Sequence, residues 1–227
     1  MNRVILSDST DETILAVTRQ HKLVDLEIEQ QINTEIVGCI YKGIVKNIVP
    51  AVDGIFVDIG IGKNAFLRRK DLLNEKRFPT EGSPILAQVI KSDTDMKGAL
   101  ITEKISMLGK YAVTLSGTGY IGVSKKIRSE SVRKRLKEIG KEICAEHMGL
   151  IIRTAAENAD MDEFRKDITR LKENWDIIQK RFRMEKSPTL LYRESDIIVK
   201  ALRDYVNKGT EILITDNRKI YERICKL

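Results

Sequence analysis

The sequence predicts an α+β fold in which a small closed β-barrel precedes a helix-rich region. Three observations carry this. Over residues 39–103, about five apolar runs of four to eight residues alternate with turn residues, a pattern that suits a barrel better than an open sheet. Beyond Lys104 the apolar period changes from that of strands to the three-and-four spacing of helices. Ahead of the barrel, residues 3–30 also read as strands.

Taken in order, RVILS, ETILAVT and KLVDLEIE are the first strands, the last two flanking a polar turn at Arg19, Gln20 and His21. The barrel segments are GIVKNIV, GIFVDIG, a GKNAFL stretch, ILAQVIK and GALITEKI. In SESVRKRLKEIGKEICAEH, Val132, Leu136, Ile139 and Ile143 recur at spacings of four, three and four, so an amphipathic helix is expected, capped by Ser129 or Ser131. GLIIRTA follows as a buried strand. Met161, Phe164, Ile168, Leu171, Trp175, Ile178 and Phe182 then alternate three and four over a helix of about six turns, with Pro188 closing the region. DIIVKALRDYV reads as a shorter helix, EILITD as a strand, and RKIYERICKL as a helix running into the C-terminus. A chain that stops on such a helix is expected to belong to something longer.

Forty Lys and Arg against thirty-three Asp and Glu leave a formal charge of +7 on 227 residues, a moderate bias toward a polyanionic partner. No apolar run approaches the roughly 20 residues of a membrane span, and the first residues lack the apolar centre of a secretory signal. Cys39, Cys144 and Cys225 are scattered, with no CxxC pair and no Cys/His cluster, so neither a disulfide framework nor structural zinc is expected. A reducing cytoplasm is the expected setting.

The barrel segments carry the first chemistry. Phe56 and Phe66 flank a glycine-bearing stretch and have Lys63, Arg68, Arg69 and Lys70 around them. Rings interleaved with cations suit single-stranded nucleic acid, because bases stack on rings while cations meet phosphates. In GIFVDIG, Ile55, Val57 and Ile59 share one face and Phe56 and Asp58 the other, so Phe56 points outward if the aliphatic row is the core. Periodicity alone leaves stacking and core packing both open.

YKGIVKNIVPAVDGIFVDIGIGKNAFL resembles the S1 RNA-binding domain of the ribonuclease E/G family. MGLIIRTAAENAD, the NWDxIxxR helix, SPTLLYRESDIIVKALRDYV and EILITDN resemble that family's following segments in the same order. The resemblance implies an S1-type OB barrel at 36–103, inserted into a ribonuclease-H-like subdomain formed by residues 1–35 and 196–227. An α/β 5′-sensor subdomain would occupy 104–195. It places the stacking aromatics on Phe56 and Phe66 and the channel lysines on Lys91 and Lys97, to which Lys63 adds a further cation. It places an RNA 5′-monophosphate among Gly109, Val113, Arg153 and Thr154, with Lys125 and Lys126 where the family has paired basic residues. A guanidinium beside a hydroxyl and backbone N–H groups suits several phosphate oxygens, and a glycine would let main chain approach closely. Two departures are visible: Ala65 stands where the family has glycine, and the insertion some members carry after the FL segment is absent.

The family's magnesium-binding carboxylates and shared CPxC zinc motif would lie beyond the present sequence, so no cofactor and no catalytic residue is expected within it. Asp93 and Asp95 form a DxD pair that reads as a polar turn. Arg128, Arg133, Lys134, Arg135, Lys137 and Lys141 are interleaved with Glu130, Glu138 and Glu142, which favours i,i+4 pairing over a nucleic-acid surface. His21 and His147 read as structural. The expected function is the RNA-binding, 5′-monophosphate-sensing N-terminal part of a single-strand-specific endoribonuclease, inactive by itself, with single-stranded RNA as its partner and a homo-oligomer expected only of the full-length form. The alternatives are a stand-alone RNA-binding protein without catalysis and an intact hydrolase.

Overall fold

In the computed structural model, residues 2–30, 36–94, 97–144, 148–193, 196–206, 210 and 212–226 are described. Asp95 and His147 lie outside them. The chain divides into two compact units, Met1–Glu35 with Ser195–Leu227, and Ile36–Glu194.

Strands β1 (Asn2–Asp8), β2 (Glu12–Arg19) and β3 (Lys22–Gln30) form an antiparallel meander. The β2–β3 turn is two residues long, Gln20 and His21, both with positive φ, the backbone that matches the twist of a tight hairpin.

The second unit begins with the barrel. β4 (Ile40–Val49), β5 (Gly54–Asp58), β6 (Ala65–Arg68), β7 (Pro84–Lys91) and β8 (Leu100–Thr102) run in the order β4-β5-β6-β8-β7, and β7 pairs back onto β4 from Ile40↔Gln88 to Ile44↔Pro84. Closure removes the edges that an open sheet of such short strands would expose. Val45, Ile55, Val57, Leu67, Ala87, Val89 and Ile101 fill the interior.

A second sheet follows, built from β9 (Ser106–Leu108), β10 (Ala112–Ser116), β11 (Ile121–Val123) and β12 (Met148–Ile152), in the order β11-β12-β10-β9. Helices α1 (Glu130–Ile143) and α2 (Met161–Met184) pack into its core: Leu136 and Ile139 from the first, Phe164, Ile168, Leu171 and Ile178 from the second. Ser129 caps α1 through the Val132 N–H, and Asp160 caps α2 through the N–H groups of Asp162 and Glu163. Strand β13 (Thr189–Tyr192) then pairs with β4, bringing the end of this segment onto the barrel sheet. The sequence pattern predicts none of β9, β10, β11 and β13 as strands.

In the first unit, α3 (Ile197–Asp204), β14 (Ile212–Thr215) and α4 (Arg218–Ile224) complete the opening sheet. β14 runs parallel to β1, giving β14-β1-β2-β3. Val4, Leu6, Leu15 and Val17 pack against Ile197, Ile198, Ala201 and Ile220. Helix α4 ends at Ile224 rather than at the last residue. Among the described residues, no helix is long and apolar enough to cross a membrane.

Candidate nucleic-acid interface

The barrel's alternation decides where Phe56 points. Ile55, Val57 and Ile59 are 0–1% exposed and form the core row, so Phe56 and Asp58 face outward. Phe66 does the same on β6, between buried Ala65 and Leu67. The two phenylalanines are direct cross-strand partners, with ring centroids 5.4 Å apart and planes inclined by 50°. Residues paired across strands share a face, and the row continues. Asn47 lies opposite Phe56, Leu100 opposite Phe66, and Lys91 opposite Leu100. Asn47, Phe56, Phe66, Leu100 and Lys91 therefore form one band round the barrel's outer surface. Gly54 explains the attitude of Phe66: a Cβ there would lie 2.3 Å from the ring, so only glycine lets the ring settle on β5.

The cations divide. Lys91 and Lys97 are exposed, and Lys63 Nζ donates to the Thr94 carbonyl at 2.9 Å, which ties Lys63 to the chain just after β7. Arg68 is bonded to Asp71, while Arg69 bonds Asp53 at 2.5 Å and stacks over the Phe78 ring at 3.8 Å. Those arginines, adjacent to the aromatics in sequence, are engaged in organising the turn after β6. Asn47 and Leu100 escaped sequence reasoning because only strand register brings them beside the rings.

The second group gathers at one end of the second sheet. Arg153 follows β12, and its N–H donates to the Tyr111 carbonyl at 2.8 Å. Its Nη1 donates to the carbonyls of Gly109 at 2.7 Å and Lys110 at 3.3 Å. Thr154 opens a 3-10 turn, and its hydroxyl shares a 3.0 Å hydrogen bond with Ser124. Ser124 N–H donates to the Ile152 carbonyl at 2.8 Å, so the turn carrying exposed Lys125 and Lys126 is held beside Thr154. Arg133 secures this turn from α1, its Nη1 donating to the carbonyls of Ser124 at 2.8 Å and Ile127 at 3.0 Å. Val113 lies in β10 opposite Leu108 and Ile151.

Gly109 behaves differently from expectation. Its N–H closes the β9–β10 hairpin on the Ala112 carbonyl at 2.8 Å, so it is not available to a phosphate. The close approach that demands glycine comes from within: a Cβ would stand 2.5 Å from Asp167 Oδ2. Tyr111, beside it, donates its hydroxyl to Glu163 at 2.5 Å. Burial, with that bond and the surrounding carboxylates, pushes the phenol well above its ordinary pKa.

On the α1 face, Arg133 stands 3.8 Å from Glu130 and Lys141 3.3 Å from Glu138, both i,i+3 pairs, while Glu142 binds Arg165 of α2 at 3.1 Å. Asp93 is exposed, and among the described residues no three His, Cys, Asp or Glu side chains gather to hold a metal ion.

Residues 34–102 match the S1 RNA binding domain, and residues 106–227 match the Ribonuclease E/G family. The chain belongs to the ribonuclease E/G family. It is 32% identical to Ribonuclease G of Escherichia coli (strain K12) over 238 aligned residues, covering 97% of this chain and 49% of that protein. It is 31% identical to Ribonuclease G of Haemophilus influenzae, covering 97% and 48%. With Ribonuclease E of Buchnera aphidicola subsp. Schizaphis graminum it shares 30% identity, covering 98% and 25%. The chain thus spans about half the length of the ribonuclease G relatives and a quarter of the ribonuclease E relative.

Proposed function

We propose that this chain is the part of an endoribonuclease that grips single-stranded RNA and senses its 5′ end. The observation that carries the reading is the outward band through Phe56 and Phe66. Two adjacent, outward-facing and half-buried rings supply stacking platforms for successive bases, and Lys63, Lys91 and Lys97 supply cations for the phosphates between them. For the 5′ end, Arg153 and Thr154 stand at one end of the second sheet beside the turn that carries Lys125. An anchored guanidinium, a hydroxyl and a nearby ammonium match the oxygens of a terminal monophosphate. Gly109 contributes through its carbonyl, which orients Arg153, and Val113 through the strand that carries the hairpin. In the first unit, three antiparallel strands with a parallel strand beside the first support the ribonuclease-H-like reading. Magnesium and zinc belong, in this proposal, to the half of the relatives that the chain does not span, and RNA processing and decay in the cytoplasm to the whole protein.

The test titrates 5′-monophosphate, 5′-hydroxyl and 5′-triphosphate forms of one unstructured RNA against wild type, Phe66→Ala and Arg153→Ala. Wild type binds the monophosphate best, by about 1.5–3 kcal/mol over the hydroxyl. A triphosphate gains more charge but loses fit. Phe66→Ala weakens all three by about 1–3 kcal/mol; Arg153→Ala removes only the monophosphate advantage, and Arg153→Lys restores part of it. Equal binding of all three ends by wild type would defeat the sensing reading. In the same preparations RNA stays intact with magnesium present. Cleavage that survives repurification and is lost in an Asp93→Asn, Asp95→Asn double variant would restore the hydrolase alternative.

A further inference from the structure

We propose that Asp167 is a positioning residue for the 5′-phosphate pocket, acting on Arg153 through two peptide units of the 109–111 turn. The proposal rests on the end-sensing reading. Asp167 sits on α2 with its side chain only 5% exposed, and accepts the N–H of Lys110 at 3.1 Å and of Tyr111 at 2.8 Å. It also meets Arg170, at 3.3 Å. The N–H of Lys110 belongs to the same peptide unit as the Gly109 carbonyl, and the N–H of Tyr111 to the same unit as the Lys110 carbonyl. Those two carbonyls are the ones that accept Arg153 Nη1, at 2.7 and 3.3 Å.

A trans peptide is planar, with its N–H and C=O directed oppositely. A buried carboxylate that draws both N–H groups toward α2 therefore aims both carbonyls toward Arg153. The two units lie in parallel between an anion and a cation, an arrangement in which hydrogen bonds strengthen one another. The contact is tight: a Cβ on Gly109 would lie 2.5 Å from Asp167 Oδ2 and 2.8 Å from Leu171 Cδ1. Without Asp167 both peptide N–H groups lose this acceptor, and the two carbonyls that accept Arg153 Nη1 are held in their direction less firmly.

The experiment measures the ratio of dissociation constants for 5′-hydroxyl and 5′-monophosphate RNA, with the full 227-residue chain. Asp167→Asn keeps the volume but replaces one acceptor with a donor that faces an N–H. The ratio should fall about tenfold, with 5′-hydroxyl affinity unchanged within about twofold. In an Arg153→Ala background the same substitution should change the ratio no further, because the residue acts through Arg153. A residue that merely staples helix to hairpin would lower the melting temperature and leave the ratio intact. A wild-type ratio that persists in folded Asp167→Asn overturns the inference alone; a wild-type ratio of one overturns the sensing reading and the inference with it. A further measurement needs no variant. The Lys110 and Tyr111 amide resonances of wild type should shift with 5′-monophosphate RNA and not with 5′-hydroxyl RNA. Indifference of both amides to the 5′ end, in a chain that discriminates, overturns the relay.

Discussion

On the barrel, Asn47, Phe56, Phe66, Leu100 and Lys91 are neighbours because hydrogen-bonded ladders place them opposite one another. At the end of the second sheet, Arg153 reaches Gly109 across 44 positions of sequence, Thr154 meets Ser124 across 30, and buried polar groups hold the turns in place. The first surface depends on register, where a slip of one residue would exchange core and exterior along a whole strand. The second depends on a few charged side chains that satisfy backbone groups, where one polar substitution disturbs several contacts. The barrel face should therefore fail through packing, and the sheet end through hydrogen bonding.

The largest expected effect separates adjacent residues of β6. Leu67→Ala empties a fully buried barrel position and should cost about 2–5 kcal/mol of stability. Phe66→Ala should leave the thermal melt much less changed while weakening RNA binding. A stability loss in Phe66→Ala equal to that of Leu67→Ala would make Phe66 a core residue and end the stacking account.

Gly54→Ala sharpens the same contrast without touching an aromatic. The new Cβ displaces the Phe66 ring, so RNA affinity should fall toward the level of Phe66→Ala, by about 1–3 kcal/mol. The monophosphate-to-hydroxyl ratio should stay constant. If the ratio moved with the affinity, the two surfaces would not be separable.

Arg133→Ala tests the sheet end from its other side. It removes the clamp on the turn that carries Lys125 and should reduce the monophosphate advantage by about 0.5–1.5 kcal/mol, with barrel affinity retained. Equal weakening of hydroxyl and monophosphate RNA would instead place Arg133 on a general RNA track. The smallest change is expected from the lysines. Lys63→Gln, Lys91→Gln and Lys97→Gln should each flatten the log–log salt dependence of binding by about 0.7. A slope unaltered by all three would take these cations out of the interface.

Much of the barrel was legible because alternation within a strand is local. GIFVDIG already set Ile55, Val57 and Ile59 against Phe56, and the buried aliphatic row places the ring outside. The helices were legible for the same reason: the apolar spacings of α1 and α2, with Ser129 as a cap, appear as read. The family also lay in the order of short motifs along the chain, and the matches over residues 34–102 and 106–227 agree with it.

Tertiary structure decided what depends on partners distant in sequence. The three-residue strands β9 and β11 and the four-residue β13 are too short for alternation to show, and become strands through the neighbours they pair with. Arg68 and Arg69 looked like RNA contacts from their place in sequence, yet Asp71, Asp53 and the Phe78 ring engage them. Arg133 looked like one charge on a solvated helix face and instead serves the carbonyls of a turn. Gly109 is a glycine because a carboxylate 58 positions later presses against it, as Asp167 on α2 does in the folded chain. Periodicity records which face a residue occupies, since that follows from its own backbone. Which polar group meets which carbonyl depends on where two elements dock, and only the folded chain brings them together.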